Sequence, residues 1–191
     1  MIKKLTSIVI ILLIFSSAGC RSKEGFKETV LAQLKFNRLA TLRLLDEIEK
    51  TGKADQALAW RAGPGRAPLG WQIMHLASTE DRMAGKTLST KPLVSDALAE
   101  EFKSGKPAGD HVPSLSEVRK YLEGTRLALE KSIEEFDISR LDEKPAPDAR
   151  NNFRTIFQIL MWHEGHHEGQ AQATFNLFKA AHHIGESKPE M

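Results

Sequence analysis

Two histidines one helical turn apart, His163 and His167, carry the clearest chemical signal in the chain. They belong to the series Phe153, Ile156, Leu160, His163, His167, Gln170, Thr174 and Leu177, whose steps alternate between three and four. That alternation traces one face of a helix. Both ends of the face are apolar, so it is expected to point into the core with His163, His167 and Gln170 at its centre. Burying three polar side chains there costs on the order of several kcal/mol unless each finds a partner. Two imidazoles at this spacing form a bidentate metal chelate. A water-filled polar layer, or a surface stripe with an accidental pair, would give the same text. Gly165 and Gly169 flank the pair and would let another backbone approach.

The segment His163-Glu164-Gly165-His166-His167 also satisfies H-E-x-x-H, in which two His bind zinc and the Glu acts as general base. A metzincin would continue with glycine where Gln170 stands, so that subclass is excluded. The third ligand of a zincin could then only be a residue such as Glu186. A helix turns about 100° per residue, which carries Glu164 away from the face of His163.

The elements that position these residues read as helices. Strand-type alternation between turn signals is nearly absent after residue 25. A first helix is expected from about Lys23 to Lys50, ending near Thr51-Gly52. The connector Ala62-Gly63-Pro64-Gly65-Arg66-Ala67-Pro68 cannot be helical. A second helix runs from about Leu69 to Leu88. Residues 91–113 hold Pro92, Gly105, Pro107 and Pro113 and form a long connection, with room for a short helix from Ser95 to Phe102. A third helix begins at Ser114, where Ser114-Leu115-Ser116-Glu117 fits a capping box, and ends before Pro145. A fourth starts at Asn151 or Asn152 and stops near Gly185, after about His182. The fold class is all-α, a four-helix bundle with a long connection between helices two and three.

At 191 residues and 21.3 kDa the chain fits one domain. Its first part reads as an address. Met1-Ile2-Lys3-Lys4 is a short positive start, Leu5 to Phe15 is mostly apolar, and Ser16-Ser17-Ala18-Gly19 supplies small residues before Cys20. Residues 1–19 are therefore expected to be a signal peptide of lipoprotein type, with Cys20 the lipidation candidate, although Ser17 stands where the lipobox usually has Leu. Residues 20–191 are the folded domain. The protein is expected outside the cytoplasm, as a bacterial cell-membrane or outer-membrane lipoprotein, meeting the membrane through an N-terminal lipid anchor. Without the first 19 residues the basic and acidic side chains balance at 25 each. That balance excludes a general nucleic-acid binder, which needs a basic surplus to displace counterions. Cys20 is the only cysteine, so the body has no disulfide and no sulfur ligand.

The stretch Ala59-Trp60-Arg61-Ala62-Gly63-Pro64-Gly65-Arg66-Ala67-Pro68-Leu69-Gly70-Trp71-Gln72-Ile73-Met74-His75-Leu76 resembles the DinB-like superfamily of YfiT-type metal-dependent enzymes. Trp162-His163-Glu164-Gly165-His166-His167-Glu168-Gly169-Gln170 is similar to that family's His-x-x-x-His-x-Gly-Gln element. Ala62 departs from it, since the family's loop more often has proline there. The resemblance spans about residues 26 to 182. It implies a four-helix bundle holding one divalent metal on three ligands, His75, His163 and His167. On its own spacing His75 only borders the Ile73, Leu76 and Met83 face, where a lone His is ordinarily a core or boundary residue.

Three His with an open position describe a catalytic rather than a structural metal site. Zn, Ni, Fe and Mn all accept such ligands. Gln170 is a candidate for a contact behind the ligands or to substrate, and Asn37 and Thr41 are candidates for lining the same cavity from the first helix. His111, His166, His182 and His183 read as solvent or loop residues. No catalytic acid or base is assigned. The resemblance implies a metal-dependent transferase using low-molecular-weight thiols, or a hydrolase, acting on an unidentified small molecule. Such thiols are cytoplasmic, at odds with an exported chain. A non-catalytic metal- or ligand-binding lipoprotein is the alternative, and a zincin-like peptidase a further one. Family members often form homodimers, and nothing in the sequence fixes an interface.

Overall fold

The structure is a computed structural model. It describes residues 3–88, 91–105 and 107–185, with side chains from residue 25 onward except 86–88. The side chains of the expected signal segment and Cys20, and all of Glu186, lie outside the described residues. No strand occurs among the described residues. Four long helices are α1 (Lys3–Lys50), α3 (Leu69–Leu88), α5 (Leu115–Glu135) and α6 (Phe153–Ala181). Two short ones are α2 (Ala54–Ala59) and α4 (Asp96–Glu101), and a single 3-10 turn covers Ile138–Arg140. Helix α3 packs against α5 and α6, and α1 against α6 and α5. No helix among the described residues is long and apolar enough to cross a membrane.

Local chemistry sets the boundaries. Ser114 caps α5: its hydroxyl accepts from the Glu117 amide while the Glu117 carboxylate accepts from the Ser114 amide, a complete capping box. Asn152 caps α6 by accepting from the Thr155 amide. Helix α1 begins twenty residues before the expected start at Lys23. No proline or paired glycine separates the apolar first stretch from the amphipathic part, so nothing in the sequence breaks the backbone there. The sequence reading passed over α2, which has only six residues.

Two apolar clusters form the core. One gathers Leu44, Leu45 and Ile48 of α1, Ile73 and Met74 of α3, Leu122 of α5, and Phe175 and Phe178 of α6. The other gathers Val30 and Leu34, Leu129 and Ile133, and Phe153, Phe157 and Leu160. Between them Arg38, Glu80, Arg126 and Glu164, one from each long helix, form a buried layer of paired charges, while Asp81 of α3 is buried separately on the Leu93 and Val94 amides. The connection after α3 folds back onto the bundle, burying Phe102 completely. Gly70 admits it, because a Cβ there would lie 2.2 Å from the Val112 side chain.

Candidate metal centre

Helix α6 buries Phe153, Ile156, Leu160 and Thr174 of the face its three-and-four spacing suggested, but the centre of the inward face differs. The buried set is Phe153, Ile156, Phe157, Leu160, Glu164, Ala171, Thr174, Phe175 and Phe178. Glu164 lies at the middle of that face, whereas His163 and His167 are half-buried beside it and Gln170 and Leu177 are exposed. The physical reason is pairing. Arg38 Nε donates to Glu164 at 2.7 Å, Thr41 Oγ1 donates at 2.9 Å, and Arg126 donates to its other oxygen. A carboxylate so satisfied can be buried. It cannot also serve as a base for metal-bound water, and the zincin reading falls with it. Neither glycine is needed for a close backbone approach: a Cβ on Gly165 would meet Asn37 at an ordinary 3.6 Å, and one on Gly169 would meet nothing within 4 Å.

The turn of α6 puts His163 and His167 opposite His75 of α3. One ring nitrogen from each of the three lies within 4.8 Å of the other two. His163 Nε2 and His75 Nε2 are 3.3 Å apart. Tetrahedral ligation at about 2.0–2.1 Å sets nitrogen–nitrogen edges near 3.3–3.4 Å, so this pair already has a metal-binding separation. His75 is 4% exposed, and its Nδ1 is 2.7 Å from the Phe102 carbonyl, which can only accept. The proton is therefore on Nδ1, and Nε2 offers its lone pair to the centre. His167 Nδ1 likewise lies 3.1 Å from Gln170 Oε1, leaving its Nε2 free. Trp71 stacks on His75 with ring centroids 5.3 Å apart, and its Nε1 donates to the Glu101 carbonyl.

A proton is a poor occupant for this cluster. Burial, then the charge His167 would carry, then that of His75, push His163 down to about 3. Burial, His75 and His166 push His167 down to about 4. Burial likewise lowers His75, partly opposed by its bond to Phe102. Three neutral imidazoles with converging ring nitrogens suit a divalent cation of the borderline class.

The other expected residues are placed as follows. Gln170 orients His167, as a contact behind the ligands would. Thr41 belongs to the buried ion layer through Glu164, and Asn37 donates to the Met161 carbonyl at 2.8 Å while accepting from Gln33, so the recorded bonds of both lead away from the imidazoles. His166 is exposed and stacked on Trp162. His111 is exposed beside Glu101, and His182 and His183 are exposed just beyond α6. The sequence reading missed Glu101 and Phe102, which act through backbone carbonyls and so leave no side-chain signature.

A cleft of about 550 Å³ opens beside His167, lined by Trp71, Gln72, Gln170, Thr174 and the Ala62–Ala67 loop. Arg61 pins that loop: it donates to the Arg66 carbonyl at 2.6 Å and, across the mouth, to the Gly109 carbonyl and Asp110, each at 2.8 Å.

No curated protein matches this chain. The model of the DinB superfamily matches residues 33–171, a span that runs from α1 into α6 and takes in all three converging imidazoles and the loop between them. The chain belongs to the DinB superfamily.

Proposed function

We propose that the protein is an exported, lipid-anchored four-helix-bundle enzyme that binds one divalent metal through His75, His163 and His167 and acts on a small molecule in the adjoining cleft, as a thiol transferase or a hydrolase. The observation that carries this reading is the 3.3 Å approach of two imidazole nitrogens whose rings are held neutral. Two neutral imidazole nitrogens at that distance are spaced either to share one proton in a hydrogen bond or to ligate one cation, and the nearby His167 nitrogen favours the cation. A cation held there would polarise a substrate carbonyl or lower the pKa of a bound water or thiol.

The protein's own groups supply the rest. The Phe102 carbonyl and Gln170 set the tautomers of His75 and His167, and Trp71 covers the His75 ring. Arg66 is the one formally charged side chain in the cleft lining, and among the described residues no carboxylate pairs with it. That charge favours a substrate with an anionic end.

Elemental analysis of purified protein tests the centre. About one equivalent of a transition metal per chain is expected, falling to background in His75→Ala, His163→Ala and His167→Ala alike. Retention of a full equivalent in His75→Ala would overturn the three-imidazole centre.

A further inference from the structure

The ion layer between the two apolar clusters is built as a closed ring. Arg38 of α1 donates to Glu80 of α3 at 2.9 Å and to Glu164 of α6 at 2.7 Å. Arg126 of α5 bridges the same two carboxylates. Each arginine also donates to a backbone carbonyl of the other's helix, Arg38 to Leu122 and Arg126 to Leu34. Each of those carbonyls lies four residues before the opposite arginine, so the two halves are related by an approximate two-fold. Thr41 and Thr125 complete the carboxylates. All four charged residues are at most 7% exposed. Burial opposes the charge on Arg126, but Glu80 and Glu164 outweigh it and raise its pKa.

For stability alone this is a poor investment of buried groups, since apolar replacements of similar volume are often as stable or more so. Its place suggests another use. The two carboxylates sit on the two helices that carry the imidazoles: Glu164 directly follows His163, and Glu80 lies five residues after His75. Apolar side chains tolerate small rotations of a helix about its axis, whereas directional, charge-assisted bonds from each carboxylate to two arginines on different helices do not. Rotating α6 by even part of a residue would separate His163 from His75.

We propose that Arg38, Glu80, Arg126 and Glu164 are positioning residues that fix the rotation and register of α3 against α6, and thereby hold His75 and His163 at metal-binding separation. The proposal rests on the metal reading above. Its test is a variant carrying Arg38→Met, Glu80→Leu, Arg126→Met and Glu164→Leu together, which leaves no buried charge uncompensated. Cobalt(II) is the probe, with affinity and visible ligand-field spectrum measured beside urea unfolding. The expected result is a cooperatively folded chain whose cobalt affinity falls by about 10–100-fold, the usual size of effects from residues behind metal ligands, with a changed spectrum. Wild-type affinity and spectrum in the folded variant would overturn the proposal. Should that variant not fold, Glu164→Gln decides by the same two readouts, because it keeps the shape and removes one charge; a purely structural role would lower stability and leave both unmoved. Should wild-type protein hold no cobalt, the metal reading fails by itself. Long-range proton–nitrogen spectra of the His75 and His163 rings then decide: an altered pattern in the quadruple variant supports positioning, and an unchanged one refutes it.

Discussion

At the scale of residues, the centre depends on proton placement as much as on distance. In the unfolded chain His163 and His167 titrate near the ordinary 6.5, while in the fold they titrate near 3 and 4. Between those values the unfolded state binds more protons than the native state, so stability rises with pH. The metal-free protein is therefore expected to lose stability progressively as pH falls from about 6.5 towards 3. Urea unfolding at a series of pH values checks this, and the slope should shrink in a His163→Asn, His167→Asn double variant. Arg82 adds to the depression of His75 and His163. The sequence showed that His163 and His167 share a helix face because their spacing is local. It misjudged only the centre of the buried face, since the partners of Glu164 lie 126 and 38 positions away and a lone glutamate reads as a surface residue.

At the scale of elements, the connection between α3 and α5 belongs to the centre. Its residues Glu101 and Phe102 hold Trp71 and His75 by main-chain carbonyls, and the Phe102 ring is fully buried. Truncation in Phe102→Ala removes that anchor and leaves a cavity, with an expected loss of about 3–5 kcal/mol in chemical unfolding. A second effect should accompany it: weaker metal retention, because the Nδ1 partner of His75 is no longer fixed in place. Full stability in this variant would show that the short α4 segment is not the support described here. Most helix ends were legible in the sequence. Leu69, the Ser114-Glu117 box and Asn152 each carry a local stop or start signal. The path of the connection was not legible, because Gly70 and Val112 meet only in three dimensions.

At the scale of the whole molecule, the leader and the bundle make separate claims. If Cys20 is acylated, the bulk of the protein should sediment with membranes of an expressing bacterium and take up a labelled fatty acid, and Cys20→Ser should abolish both while leaving metal content unchanged. Fatty-acid labelling followed by fractionation checks this, and unlabelled wild-type protein would remove the anchor from the account. The proposed metal site does not depend on that outcome, since every residue that would form it lies between Arg38 and Gln170.

The single bond from His75 to the Phe102 carbonyl ties together two processes that would otherwise be independent. If a cation binds as proposed, seating of the connection and capture of that cation draw on the same imidazole orientation, so each would strengthen the other by an equal factor. Whatever pries the connection off the long helices would then loosen the ion, and a loaded ion would resist the prying.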